Sequence, residues 1–198
     1  MTHDQPYWQG EPPRHSLLDH DMLVMQQRTN FNRNDFDILD GQGQVIGHVS
    51  TGGSAVGRFF KGSRELTVHE ADGRPLALVK DPANFGFDRF EVFLADGALL
   101  ANLRKRFTLF NKRVDIEILN GPVIELRGRI FDFDIQFTID DGVVAQASRE
   151  WGGVAAGLLG HSRYALVFTV PTPPNAKLAL IGGMIALDLI REKEERSS

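Results

Sequence analysis

The sequence contains no cysteine, which excludes disulfide bridges, thiolate metal sites and lipidation on cysteine. The absence is compatible with a reducing compartment, and a cytoplasmic location is expected. There is no excess of positive charge either. With 26 acids against 22 bases the formal net charge is −4, so no nucleic acid is expected to bind through an overall basic field. Catalytic signatures are missing too. The chain has no Gly-x-Ser-x-Gly, no Gly-x-x-x-x-Gly-Lys and no His-Glu-x-x-His, spacings that expose a nucleophile at a sharp turn, cradle phosphates on backbone amides or set two imidazoles on one helix face. No enzymatic activity and no cofactor are expected. The stretch from Met1 to Pro13 has no basic region followed by an apolar one, so it does not read as a secretory signal. Residues 1–15 are expected to form a disordered tail and 16–198 a single domain.

What is present is a rhythm of strands. Phe131, Phe133, Ile135, Phe137 and Ile139 alternate with Asp132, Asp134, Gln136 and Thr138, a period of two that puts apolar side chains on one face. The same alternation runs through Val114–Ile118, Phe90–Val92 and Leu66–Val68. Five chain reversals separate these runs: Asp40-Gly41, Asp72-Gly73, Asp96-Gly97, Asn120-Gly121 and Asp141-Gly142. Such pairs tolerate the positive φ of tight hairpin turns, so together they imply about ten strands. Further strands at Met22–Arg28 and Arg163–Val170 bring the expectation to about twelve.

The chain then changes character. After Pro171, Pro173 and Pro174, the stretch from Leu178 to Ile190 is apolar on nearly every face, so a helix made from it needs a surround on all sides. At ~1.5 Å per residue it spans about 20 Å, short of the ~30 Å hydrocarbon core of a bilayer, and it contains Asp188. We therefore expect a mainly β fold, an antiparallel barrel of about twelve strands enclosing a C-terminal hydrophobic helix, which leaves no sheet edge open. A single-pass anchor is the weaker alternative. The mixed charges from Arg191 to Arg196 read as a solvated helix end.

Few residues suggest a site. His15, Asp19, His20 and Asp21 lie close in sequence but lack a rigid frame, so they read as a surface loop with no metal. His48 and His69 stand singly in strands and read as ordinary histidines. Gly52-Gly53 and Gly152-Gly153 read as turning backbone, and Asp132 with Asp134 as strand alternation rather than paired catalytic carboxylates. One cluster stands apart. Arg104, Lys105, Arg106, Lys112 and Arg113 fall within ten residues with no acid between them, beside Phe107, Leu109 and Phe110. Two readings stand side by side. A basic patch next to apolar residues suits anionic headgroups at a membrane surface, and a solvated strand edge uses Lys and Arg against sheet-to-sheet aggregation.

The order of features resembles a family. Strands with Asp-Gly or Asn-Gly hairpins are followed by Arg149-Glu150-Trp151, Tyr164-Ala165-Leu166-Val167-Phe168, a proline-bearing turn and the terminal run from Lys177 through Ala186-Leu187-Asp188-Leu189-Ile190. Over almost the whole chain this resembles the phospholipid scramblase family and is similar to the LURP-one proteins and the tubby C-terminal domain. The resemblance implies a twelve-stranded barrel around a central C-terminal helix, and a non-enzymatic protein that binds anionic phospholipid, peripheral at a membrane. It implies calcium binding only where acids precede the terminal helix. Here Gly160–Tyr164 and Thr172–Pro174 carry none, so no calcium site is expected. Tubby-type domains bind phosphoinositides through Lys and Arg on the barrel surface, a role the cluster from Arg104 to Arg113 could play. A soluble interaction module without lipid activity is the other class in view.

Overall fold

The computed structural model describes residues 16–28, 35–52, 64–82, 89–107, 112–129, 134–149 and 163–197. These form twelve strands and one long helix: β1 (Met22–Gln27), β2 (Phe36–Leu39), β3 (Val45–Thr51), β4 (Arg64–Glu70), β5 (Pro75–Asp81), β6 (Arg89–Leu94), β7 (Leu99–Phe107), β8 (Lys112–Ile118), β9 (Val123–Arg129), β10 (Asp134–Ile139), β11 (Gly142–Ser148), β12 (Arg163–Phe168) and α1 (Pro174–Ser197). Each strand pairs antiparallel with the next, and β1 pairs with β12, so the meander closes into a barrel. The expected architecture is the one observed. Five tight hairpins join β2 to β3, β4 to β5, β6 to β7, β8 to β9 and β10 to β11, and all lie at one end, called here the hairpin end. The opposite end, the far rim, holds the starts of the even-numbered strands and the ends of the odd-numbered ones.

Turn chemistry departs from expectation at two hairpins. At Asp72-Gly73 and Asp96-Gly97 the glycine has the positive φ, +84° and +87°, and at Asn120-Gly121 the asparagine has it, +57°. Between β2 and β3, however, the left-handed residue is Gly43 at +83°. Asp40 instead accepts hydrogen bonds from the Gln42 and Gln44 amides on Oδ1, each 2.9 Å, so its role is an Asx cap. The last hairpin turns on Asp140 and Asp141, φ +47° and +66°, while Gly142 already opens β11 opposite Ile139. Positive φ at both central residues is the two-residue turn that matches strand twist, and Asp tolerates it.

Alternation holds where the strands are described: Phe90, Val92, Val114, Ile116, Ile135 and Phe137 are buried, while Gln136 and Asp134 face solvent. Phe131 and Phe133 lie outside the described residues. The helix runs down the barrel from the hairpin end. Every residue from Lys177 to Ile190 except Asp188 is buried, and one apolar core joins Leu17 near the start to Ile190 near the end. The C-terminal end of the helix is tied to the wall. Lys193 Nζ bonds Asp81 at 2.9 Å and sits over the Phe90 ring, and Arg64 meets Glu192 at 2.9 Å, all at the far rim.

A helix fits inside this wall because it is thin where the wall is close. A methyl group on Gly182 would come within 2.6 Å of Val92 Cγ2 and 3.3 Å of its Cγ1; one on Gly183 would come within 2.6 Å of Ile116 Cδ1. Alanine gains about 1 kcal/mol over glycine in a helix, and overpacking costs about 1–3 kcal/mol. The tip of Ile116 can rotate away, whereas Val92 is β-branched and stiff. Gly183→Ala is therefore expected to melt close to the wild type, and Gly182→Ala to be less stable than Gly183→Ala by about 1–2 kcal/mol. Equal urea midpoints for the two variants would show that the wall yields alike at both positions.

Candidate functional site

The basic cluster sits where β7 and β8 reach the far rim. Their register sets Arg104 opposite Asp115, Lys105 opposite Val114, Arg106 opposite Arg113 and Phe107 opposite Lys112. Alternate positions put Arg104, Arg106 and Arg113 in one row with Asn102 and Glu117, and Lys105 and Lys112 in the other, so the five bases are neighbours but do not share one row. Leu109 and Phe110 lie outside the described residues. Arg104 is half exposed and its Nε meets Glu117 Oε2 at 3.6 Å. Although no acid interrupts the cluster in sequence, Asp115 and Glu117 stand two and four positions inward of Arg113 on β8.

Strand pairing extends the basic zone sideways. Arg89, exposed at the start of β6, stands opposite Arg104 and donates to Asn102 Oδ1 at 3.3 Å. At the end of β9, Arg129 bonds Asp134 at 3.0 Å. Further inward, Arg127 bridges Glu125 at 2.9 Å and Asp141 at 2.7 Å, contacts that raise its pKa, with Glu125 the larger influence. Sequence reading missed Arg89 because it follows Asp88, so the local charge cancels; only the register brings it to Arg104.

Two histidines read as solitary are in fact a pair. His48 on β3 stands opposite His69 on β4, with ring centroids 4.6 Å apart and planes 12° from parallel. The Gly73 carbonyl can only accept, so His69 Nδ1 donates to it at 3.1 Å, and in the neutral ring Nε2 accepts from Ser50 Oγ at 3.2 Å. Burial first, then the adjoining His69 and Arg28, lower the pKa of His48; Asp37 and Asp35 act in the opposite direction. The folded chain thus takes a proton on His48 less readily than the unfolded one. Stability from this group is full above the ordinary histidine value of about 6.5 and is lost as pH falls from there through the lower folded value. The melting temperature is expected to drop as pH falls below about 6.5, with a shallower drop in His48→Gln. An unchanged slope in that variant would assign the pH dependence to other groups.

The segment with Asp19, His20 and Asp21 serves the fold. Ser16 and Asp19 form a reciprocal capping box around a short 3-10 turn, Leu17–Asp19. Glu70 receives the Ser16 hydroxyl and the Leu17 amide. His15 lies outside the described residues, and among those described no three His, Asp or Glu gather as metal ligands. Lys177, in the first turn of α1, is buried; its Nζ donates to the carbonyls of Leu18 at 2.9 Å and His20 at 2.8 Å, meets Asp21 Oδ1 at 3.3 Å and lies over the Phe168 ring. The far half of the lumen holds a second polar group. Burial and then the carboxylate of Asp188 push the Tyr164 hydroxyl well above its ordinary pKa, and Arg149 acts the other way. Three separate segments of the chain thus converge electrostatically on one buried phenol.

Fold and site together define a class: a closed antiparallel barrel threaded by its own C-terminal helix and bearing bases on one rim. A family model described as LURP-one-related matches residues 20–187, and the chain belongs to the LURP-one-related family. Among solved structures, it is similar to the X-ray structure of a protein from Arabidopsis thaliana, with a TM-score of 0.54 and 17% sequence identity over 85% of this chain and 91% of that one. At that identity the likeness shows the fold alone. No curated protein matches the chain. Among the described residues no helix is long and apolar enough to cross a membrane.

Proposed function

We propose that the protein is a non-enzymatic, cytoplasmic lipid-binding protein, scramblase-like and tubby-like in kind, that engages anionic phospholipid headgroups at a membrane surface through Arg104, Lys105, Arg106, Lys112 and Arg113. The observation that carries this reading is the position of the cluster. Strand-edge protection is the competing account: β6 flanks β7 only as far as Arg104 and β9 flanks β8 only from Val114, so among the described residues Lys105, Arg106, Lys112 and Arg113 lie where β7 and β8 pair with each other alone. Protecting such an edge needs only one or two charged residues. Five bases concentrated there need another reason, and attraction to anionic headgroups supplies one at about 1 kcal/mol per residue near the surface.

Changing all five bases to Gln is expected to abolish co-sedimentation with vesicles containing phosphatidylserine, while the melt moves by less than about 0.5 kcal/mol. Wild-type binding should also weaken as salt shortens the Debye length. A wild-type protein that ignores anionic vesicles at low salt would overturn the proposal in favour of a soluble interaction module.

A further inference from the structure

We infer that the barrel meets an anionic bilayer end-on, with the far rim against the headgroups and the hairpin end turned to solvent; this docking geometry rests on the lipid-binding reading above. It follows from a separation of charge along the barrel axis. Several rim bases are balanced locally: Arg28 by Asp37, Arg64 by Glu192 and Arg129 by Asp134. At the rim of β6, β7 and β8 the register gathers six bases, Arg89, Arg104, Lys105, Arg106, Lys112 and Arg113, against the acids Asp115 and Glu117, of which Glu117 meets Arg104 at 3.6 Å, so positive charge is in surplus there. At the hairpin end the sign reverses. Asp40, Asp72, Asp96, Asp140 and Asp141 occupy the turns, against the buried Lys177, Arg74, which is tied to Glu70, and Arg127, which reaches Asp141 from within β9.

The barrel wall decides between two ways of presenting the surplus. The register sets Asp115 and Glu125 level with Arg89 and Arg104, and Glu91, Asn102 and Glu117 inward of them. Docking on the wall over β6 to β9 would press these acids against the same headgroups and cancel the attraction of the bases. End-on docking leaves them behind the positions of Lys105, Arg106, Lys112 and Arg113, which lie nearer the rim. At ~3.3 Å per residue, the hairpin acids lie about 20 Å from it, more than two Debye lengths of ~8 Å. Screening then removes most of their repulsion, which is how a chain with net charge −4 can approach an anionic surface.

Because the chain has no cysteine, single cysteines can report orientation without background. Pro82→Cys places an environment-sensitive fluorophore at the far rim, and Ala95→Cys places one in the exposed turn between β6 and β7. With vesicles of phosphatidylserine and phosphatidylcholine, the probe at position 82 is expected to shift to shorter wavelength and the probe at 95 to stay unchanged. Independently, Asp72→Asn with Asp96→Asn, which keeps the oxygens that accept from the Arg74 and Ala98 amides, should alter vesicle affinity by less than roughly twofold. Binding with both probes shifted, with the probe at 95 shifted alone, or with a several-fold gain in the double variant would overturn end-on docking while leaving lipid binding intact. Absence of sedimentation with either labelled protein or the wild type would overturn both.

Discussion

Deletion of residues 175–198 is expected to leave a chain with no cooperative melt and no near-UV dichroism. The helix contributes Leu178, Leu180, Ile181, Met184, Ile185, Leu187, Leu189 and Ile190 to the core, each no more than 4% exposed. Burying one large apolar side chain stabilises by about 1.5–3 kcal/mol, so this set of eight amounts to about 12–24 kcal/mol, as large as the whole stability of a typical domain, ~5–15 kcal/mol. Removing it would also open a lumen lined by Phe90, Leu103, Ile116 and Phe137, a void that cannot stay dry and empty at protein packing densities. The far-rim ties from Lys193 to Asp81 and from Glu192 to Arg64 would go with it. A truncated protein with native-like near-UV dichroism and a sharp thermal transition would show that the barrel stands without its plug. Ile181→Arg tests the same point by a single change, since it would bury a charge on the fully enclosed part of the helix.

The barrel and its plug were legible because both rest on periodicity. Strand alternation such as Ile135 and Phe137 against Asp134 and Gln136 reads directly as an inside and an outside, and an all-apolar helix can only be enclosed. Register was not legible, because no local signal says which residue of β3 faces which residue of β4. For that reason the His48–His69 stack and the Arg89–Arg104 neighbourhood emerged only from the pairing. Turn positions were half legible: Asp-Gly marks a reversal, but whether the aspartate caps the turn, as Asp40 does, or occupies it, as Asp141 does, depends on the loop length that the strands allow. Nothing in the sequence says why Gly182 and Gly183 stand within the helix. Their reason is the approach of Val92 and Ile116, a fact about the wall and not about the helix.

Lys177 poses the sharpest contest between two physical effects. It lies in the first turn of α1, which carries no acid; a positive charge there opposes the helix macrodipole and an acid would be favoured, each by about 0.3–1 kcal/mol. On that ground alone Lys177→Glu should stabilise. The side chain, however, is buried and donates to two carbonyls that belong to a different segment, those of Leu18 and His20, with Asp21 alongside. A glutamate would strip both carbonyls of a donor, at about 1–3 kcal/mol each, and would set a buried carboxylate against three oxygens, which costs several kcal/mol more. The lost hydrogen bonds and the buried charge outweigh the macrodipole. Lys177→Met, which loses both hydrogen bonds without adding a charge, is expected to lower stability by about 2–6 kcal/mol, and Lys177→Glu by more. Urea denaturation of the three proteins should therefore rank wild type above Lys177→Met above Lys177→Glu. A glutamate variant as stable as the wild type would mean that the macrodipole prevails over the hydrogen bonds, and that the lysine does not fasten the segment around Leu18 to the mouth of the barrel.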